Sequence, residues 1–122
     1  MPDMRQEMHA QVERLSKSDG IDGAMLVSRD GIAVVELIGR PVNQEMFAAM
    51  SAMMMGAAET AVSELGDNGT IHVFVRTETA IVAIRGATDE LLLVAVGGPG
   101  LELDAMAGPM TKAADGIRAL AG

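Results

Sequence analysis

The chain contains no cysteine, tryptophan or tyrosine, and its only aromatic rings besides two histidines are Phe47 and Phe74. Without thiols there can be no disulfide and no thiolate-bound metal, and the absence fits a reducing compartment, so a cytoplasmic location is expected. With so few rings, platforms for stacking nucleobases or sugars are lacking. Positive charge is scarce too: nine Lys and Arg stand against 17 Asp and Glu, for a formal net charge of −8, and the nine are scattered. Such a surface neutralises few phosphates, which argues against nucleic acid and anionic membranes as partners. The longest nearly apolar run, residues 46–58, is bounded by Glu45 and Glu59. It falls short of the ~20 residues that cross a bilayer, so no membrane insertion is expected. The opening MPDMRQEMHA has no basic stretch followed by an apolar core and does not read as a secretory signal.

Methionine, by contrast, is abundant: eleven residues, five of them within residues 43–65, NQEMFAAMSAMMMGAAETAVSEL. As one helix this segment is about 34 Å long at ~1.5 Å per residue. Phe47, Met50, Met54, Ala58, Ala61 and Leu65 recur at a spacing of three and four and share a face. Met46, Ala49, Met53 and Ala57 lie outside that stripe, which makes the segment apolar around most of its circumference. Packing one face on a core leaves another to be covered. A partner subunit is the simplest cover, and the flexible Met side chain suits surfaces that repack against another chain. A small-molecule groove is the alternative, although the helix offers little polar chemistry beyond Ser51, Thr60 and Ser63.

The remaining pattern alternates helix and strand periods. Residues 3–17 place Met4, Met8, Val12 and Leu15 on one helical stripe, with Arg5, His9 and Glu13 on another, and the helix is expected to end near Asp19 and Gly20. Residues 23–28 and 32–38 are β-prone and joined through Arg29, Asp30 and Gly31, where Asp-Gly signals a hairpin. Asn43 can cap the long helix, and Gly66, Asp67, Asn68 and Gly69 close it. Three β-prone runs follow, residues 70–76, 79–85 and 90–96, read as a meander. The first alternates Ile71, Val73 and Val75 against His72, Phe74 and Arg76; the other two are nearly continuously apolar, as in strands covered on both faces. After GGPG at 97–100, Leu103, Met106, Met110, Ala113, Ile117 and Leu120 repeat at helical spacing. The expected architecture is a single α+β domain over residues 1–122, in the order α-β-β-α-β-β-β-α.

Three stretches, GAMLVSRDGIAV (23–34), ELGDNGTIHVFV (64–75) and GGPGLELDAM (97–106), carry a resemblance to the Roadblock family, related to dynein light chains. The resemblance implies a five-stranded antiparallel sheet sandwiched by helices, a Roadblock/profilin-like fold. It also implies a homodimer formed through the long helix, with Met46, Phe47, Met50, Met53, Met54 and Ala57, and through an edge strand with Ile71, His72, Val73 and Phe74. Members of the family act as small scaffolds, and several bind Ras-like GTPases. By that resemblance the chain is a homodimeric, non-enzymatic partner of a small GTPase that modulates its nucleotide cycle or location. No recognisable recruitment tail for a large motor is present. The alternative is a small-ligand sensory domain that uses the groove between helix and sheet.

Other candidates have plainer readings. GGPG before a helix could cradle an anion, but no GxxxxGK[ST] or GxGxxG is present, so a turn is expected and no cofactor. His9 and His72 have no thiolate to join them in a metal site, and Ser28 suits a turn better than nucleophilic attack. The acidic pairs Asp89/Glu90 and Glu102/Asp104 fall at a turn and a helix start. Arg76 and Arg85, with Glu78 between them, read as a charged hairpin end, and Arg29, Arg40 and Arg76 are the candidates for an arginine finger, without specific support.

Overall fold

Asp3 accepts a hydrogen bond from the Arg5 amide and opens the first helix, α1 (Met4–Ser16), in a computed structural model that describes residues 3–67 and 69–121. The helix stops at Ser16, with Lys17 as its C-cap, a turn short of Asp19 and Gly20. Strands β1 (Ile21–Ser28) and β2 (Ala33–Ile38) form the expected hairpin. Its turn is built by Gly31 at φ 92° and by Ser28, whose hydroxyl accepts from the Ile32 amide at 3.0 Å and donates to the Asp30 carboxylate. Ser28 is thereby occupied as a turn residue. Gly31 is also needed sterically, because a Cβ there would lie 3.1 Å from the Cα of Ala49 on the next helix.

That helix, α2 (Gln44–Ser63), begins at Asn43, whose side chain accepts from the Met46 amide at 3.0 Å. Gly66 at φ 75° marks the exit, and Asn68, part of the expected stop, lies outside the described residues. The meander follows as β3 (His72–Arg76), β4 (Ile81–Gly86) and β5 (Leu91–Gly97), and α3 (Leu103–Leu120) closes the chain. β3 begins at His72, two residues later than residues 70–76 suggested.

All four pairings are antiparallel, in the order β2-β1-β5-β4-β3. Pairing of β1 with β5 fuses the hairpin to the meander and leaves β2 and β3 as the edges. Arg76 and Arg85 therefore do not share a hairpin end: Arg76 pairs with Ile81 beside the turn, whereas Arg85 pairs with His72 at the far end. The antiparallel register separates residues that sequence order made look adjacent.

Two cores flank the sheet. On one face α1 and α3 pack through Val12, Leu15, Met106, Met110 and Ile117 onto Leu26, Ile81 and Leu93. On the other, α2 alone covers Met25, Val27, Ile84, Leu92 and Val94. Alternation along β5 sends Leu92 and Val94 to one core and Leu93 and Ala95 to the other, which explains its unbroken apolar sequence. A lone helix about 10 Å across cannot cover five strands spaced ~4.8 Å apart, so the α2 face remains partly open.

Candidate protein interface

Small residues decide which way α2 turns. Ala48 and Ser51 are completely buried and Met55 is 1% exposed; together they form the line of closest approach to the sheet. Ala and Ser allow the helix axis to come near the strands, and Met55 fills the remaining depth. This line is neither of the two stripes drawn from sequence. The stripe of Phe47, Met50, Met54, Ala58, Ala61 and Leu65 is split by the structure: Phe47 and Met54 pack partly buried against the core, whereas Met50 is 41% and Leu65 81% exposed.

The opposite face carries a continuous outward seam. Met46 and Met53 are 56% and 64% exposed, Met50 lies between them, and Ala57 continues the row. Positions 46, 50, 53 and 57 step by four, three and four, the spacing with which one helix packs along another. Among the residues named from sequence, Met46, Met50, Met53 and Ala57 thus lie together on one accessible line, while Phe47 and Met54 flank it and support the helix from beneath.

The two sheet edges differ. β2 is irregular: its register shifts opposite Leu26 and Val27, it carries the exposed Glu36, and Pro41 follows it. Those features blunt an edge against further pairing. β3 has no register shift and no following proline: its five residues, HVFVR, pair with β4 in unbroken register, and the charge of its exposed Arg76 is tied to the Pro99 and Leu101 carbonyls. Ile71 and Val73 point to the α2 core and Phe74 to the other one, as the alternation implied. Val75, on the α2 side with Val73, is 38% exposed, and sequence alone gives no reason to single it out. His72 is exposed and stacks on Phe74, with ring centroids 6.1 Å apart and planes within 6°. Partial desolvation, and then the charge on Arg85, lower its pKa from the ordinary histidine value.

The three arginines weighed as fingers are all anchored. Arg29 makes a bidentate pair with Glu59 at 2.8 and 2.9 Å. Arg40 pairs with Asp22 at 2.7 Å and also donates to the Thr79 and Gly97 carbonyls. Arg76 donates to the carbonyls of Pro99 at 2.6 Å and Leu101 at 2.8 Å, tying the GGPG turn to β3. His9 is exposed on α1, and the acidic pairs lie exposed at the β4–β5 turn and at the start of α3. Among the described residues no group of three or more His, Asp or Glu is arranged to hold a metal ion, and no helix is long and apolar enough to cross a membrane.

A five-stranded antiparallel sheet with one helix on one face and two on the other, with an apolar seam on the lone helix and a regular strand at one edge, defines a small layered α+β domain. Residues 8–96 match the Roadblock/LC7 domain, and the chain belongs to that family. The uncharacterized protein MJ0310 of Methanocaldococcus jannaschii is 32% identical over 111 residues, spanning 87% of this chain and 92% of its own length. Among solved structures, MglB in a tetrameric arrangement is similar with a TM-score of 0.87 at 18% identity, over 99% of this chain and 92% of that one. The gliding protein MglB of Thermus thermophilus gives 0.86, also at 18% identity, over 99% and 93%. At such identity the likeness establishes the fold.

Proposed function

We propose that the protein is a non-enzymatic, cytoplasmic homodimeric scaffold that engages a small Ras-like GTPase and biases its nucleotide cycle or its location. The observation that carries the reading is the outward seam of Met46, Met50 and Met53 on the same molecule as the regular, unpaired β3 edge. A twofold pairing of β3 with a second β3 would extend the sheet across two copies and remove the open edge. It would also bring two α2 seams side by side, where burying the exposed half of each Met contributes about 1 kcal/mol per side chain. The tetrameric arrangement of the structurally similar MglB supports self-association as a property of this fold.

The GTPase part rests on family membership and on the kind of surface a dimer would create, with two α2 helices forming one platform. Arg29, Arg40 and Arg76 are each engaged by partners within the chain, which favours a conformational influence on nucleotide turnover, through ordering of the GTPase's switch loops. The test is direct: small GTPases of the source organism, loaded with GDP or a non-hydrolysable GTP analogue, are passed over the immobilised protein. State-dependent binding of at least one is expected, and binding of none in either state overturns the GTPase assignment while leaving the dimer to be judged on its mass in solution.

A further inference from the structure

Arg85 is a buried charge with no ion-pair partner among the described residues. The residue is 5% exposed, its Nη1 donates to the Thr111 hydroxyl at 3.1 Å and its Nε to the Gly86 carbonyl at 3.0 Å. Among the described residues no carboxylate comes within the 4.0 Å of an ion pair with it. Guanidinium stays protonated in proteins, so a buried one is costly unless paired, and two of its five donors account for both bonds named. Burial and the neighbouring charge of Arg118 push its pKa down, and only Asp115 opposes them.

Two further guanidiniums share its surroundings. A Cβ at Gly86 would lie 3.3 Å from Arg29 Nη2, so Arg29 and Arg85 approach the same glycine, one over its α-carbon and the other at its carbonyl. Arg29, Arg85 and Arg118 all line a cleft of about 540 Å³ at the end of the sheet, where Glu59 and Asp89 are the only acids among the described lining residues. Three of the nine cationic residues of a chain with net charge −8 therefore line one concavity. Their existing partners leave room for another anion. Asp115 holds Arg118 at 3.3 Å, but both side chains are more than half exposed, so that pair is weak. Glu59 fixes Arg29 in place with two bonds.

We propose that this cleft is a binding site for a small phosphoryl-bearing oxyanion, with Arg85 and Arg118 as donors to its oxygens and Arg29 closing the third side. Planar guanidinium groups offer paired N–H donors that match phosphoryl oxygens. The volume exceeds what free phosphate needs, and Met55, Ile71 and Ala87 supply an apolar wall for a larger body. The site does not depend on self-association or on a GTPase.

The test is a titration of ¹⁵N-labelled protein with inorganic phosphate, with ribose 5-phosphate and with ribose, at constant ionic strength. Saturable shifts of the Gly86, Ala87 and Arg118 amides are expected with the two phosphoryl compounds and none with ribose. In Arg118→Gln, on an exposed side chain, the affinity should fall about tenfold or more, as loss of a charge-assisted bond implies. Gly86→Ala, which nudges Arg29 aside, should weaken it less. Equal affinity for both compounds identifies free phosphate as the ligand, and tighter ribose 5-phosphate binding identifies a phosphorylated metabolite; both outcomes uphold the site. Absence of saturation up to about 10 mM, the weakest range of specific binding, or unchanged affinity in Arg118→Gln overturns it.

Discussion

Single side chains on α2 separate what folds the molecule from what it displays. Met55 is 1% and Met53 64% exposed, although they are two residues apart in one methionine-rich run. Met55→Ala should cost about 2–5 kcal/mol in chemical denaturation, the range for opening a core cavity. Met53→Ala should alter the stability of the isolated chain by no more than about 0.5 kcal/mol. Ser51 behaves in the opposite way. Its hydroxyl is fully buried with no hydrogen-bond partner among the described residues, so Ser51→Ala removes an uncompensated polar group and should be neutral or stabilising by up to about 1 kcal/mol. A destabilised Ser51→Ala protein would show that the hydroxyl does have a partner. These distinctions were not legible in the sequence, because a helix apolar at nearly every phase has no amphipathic signal to orient it, and the contact line is set by the smallness of Ala48 and Ser51. Arg85 escaped for a similar reason: a charged residue at a strand end reads as exposed unless the register is known.

Whole elements were far more legible. The Asp-Gly turn, the alternation in β3, the doubly covered β4 and β5 and the periodicity of α3 each specify one local structure, and the element order follows from them. Pairing between β1 and β5 joins residues some seventy positions apart and has no local signature; the resemblance implied one five-stranded sheet but not which strands join its two halves. Asn43 illustrates the legible kind. Its carboxamide satisfies the Met46 amide, and Asn43→Ala should cost about 1 kcal/mol without changing what α2 presents. The α2 seam gives a test at the same scale. Met53→Glu places a carboxylate on the exposed row and should yield a folded protein of monomeric mass by light scattering. Met55→Glu buries an unpaired charge and should not fold. If the unmodified chain is itself monomeric at micromolar concentration, the seam does not serve self-association.

At the scale of the whole molecule, His72 offers a way to read both the fold and the proposed dimer with one variable. Burial first, and then the Arg85 charge across the β3–β4 pair, lower its pKa in the folded state. The sign follows from linkage: the unfolded chain takes up the proton at a higher pH than the folded one. The stability from neutral His72 is therefore fully present above the ordinary histidine pKa near 6.5, and it is lost as pH falls through the lower folded value. The ring also stands on the β3 edge, so protonation in a twofold pair would put a new positive charge on each copy's edge strand, opposite the arginine-bearing end of the other, adding to the same loss. Thermal denaturation and light scattering from about pH 7.5 down to about 5.5 should show falling stability and weakening self-association, with a flatter profile for both in His72→Gln. A flat stability profile in the wild type would contradict the depressed pKa. A falling stability profile with constant mass would retain the depressed pKa but place His72 away from the contact between copies, shifting the interface from the β3 edge toward the methionine seam alone.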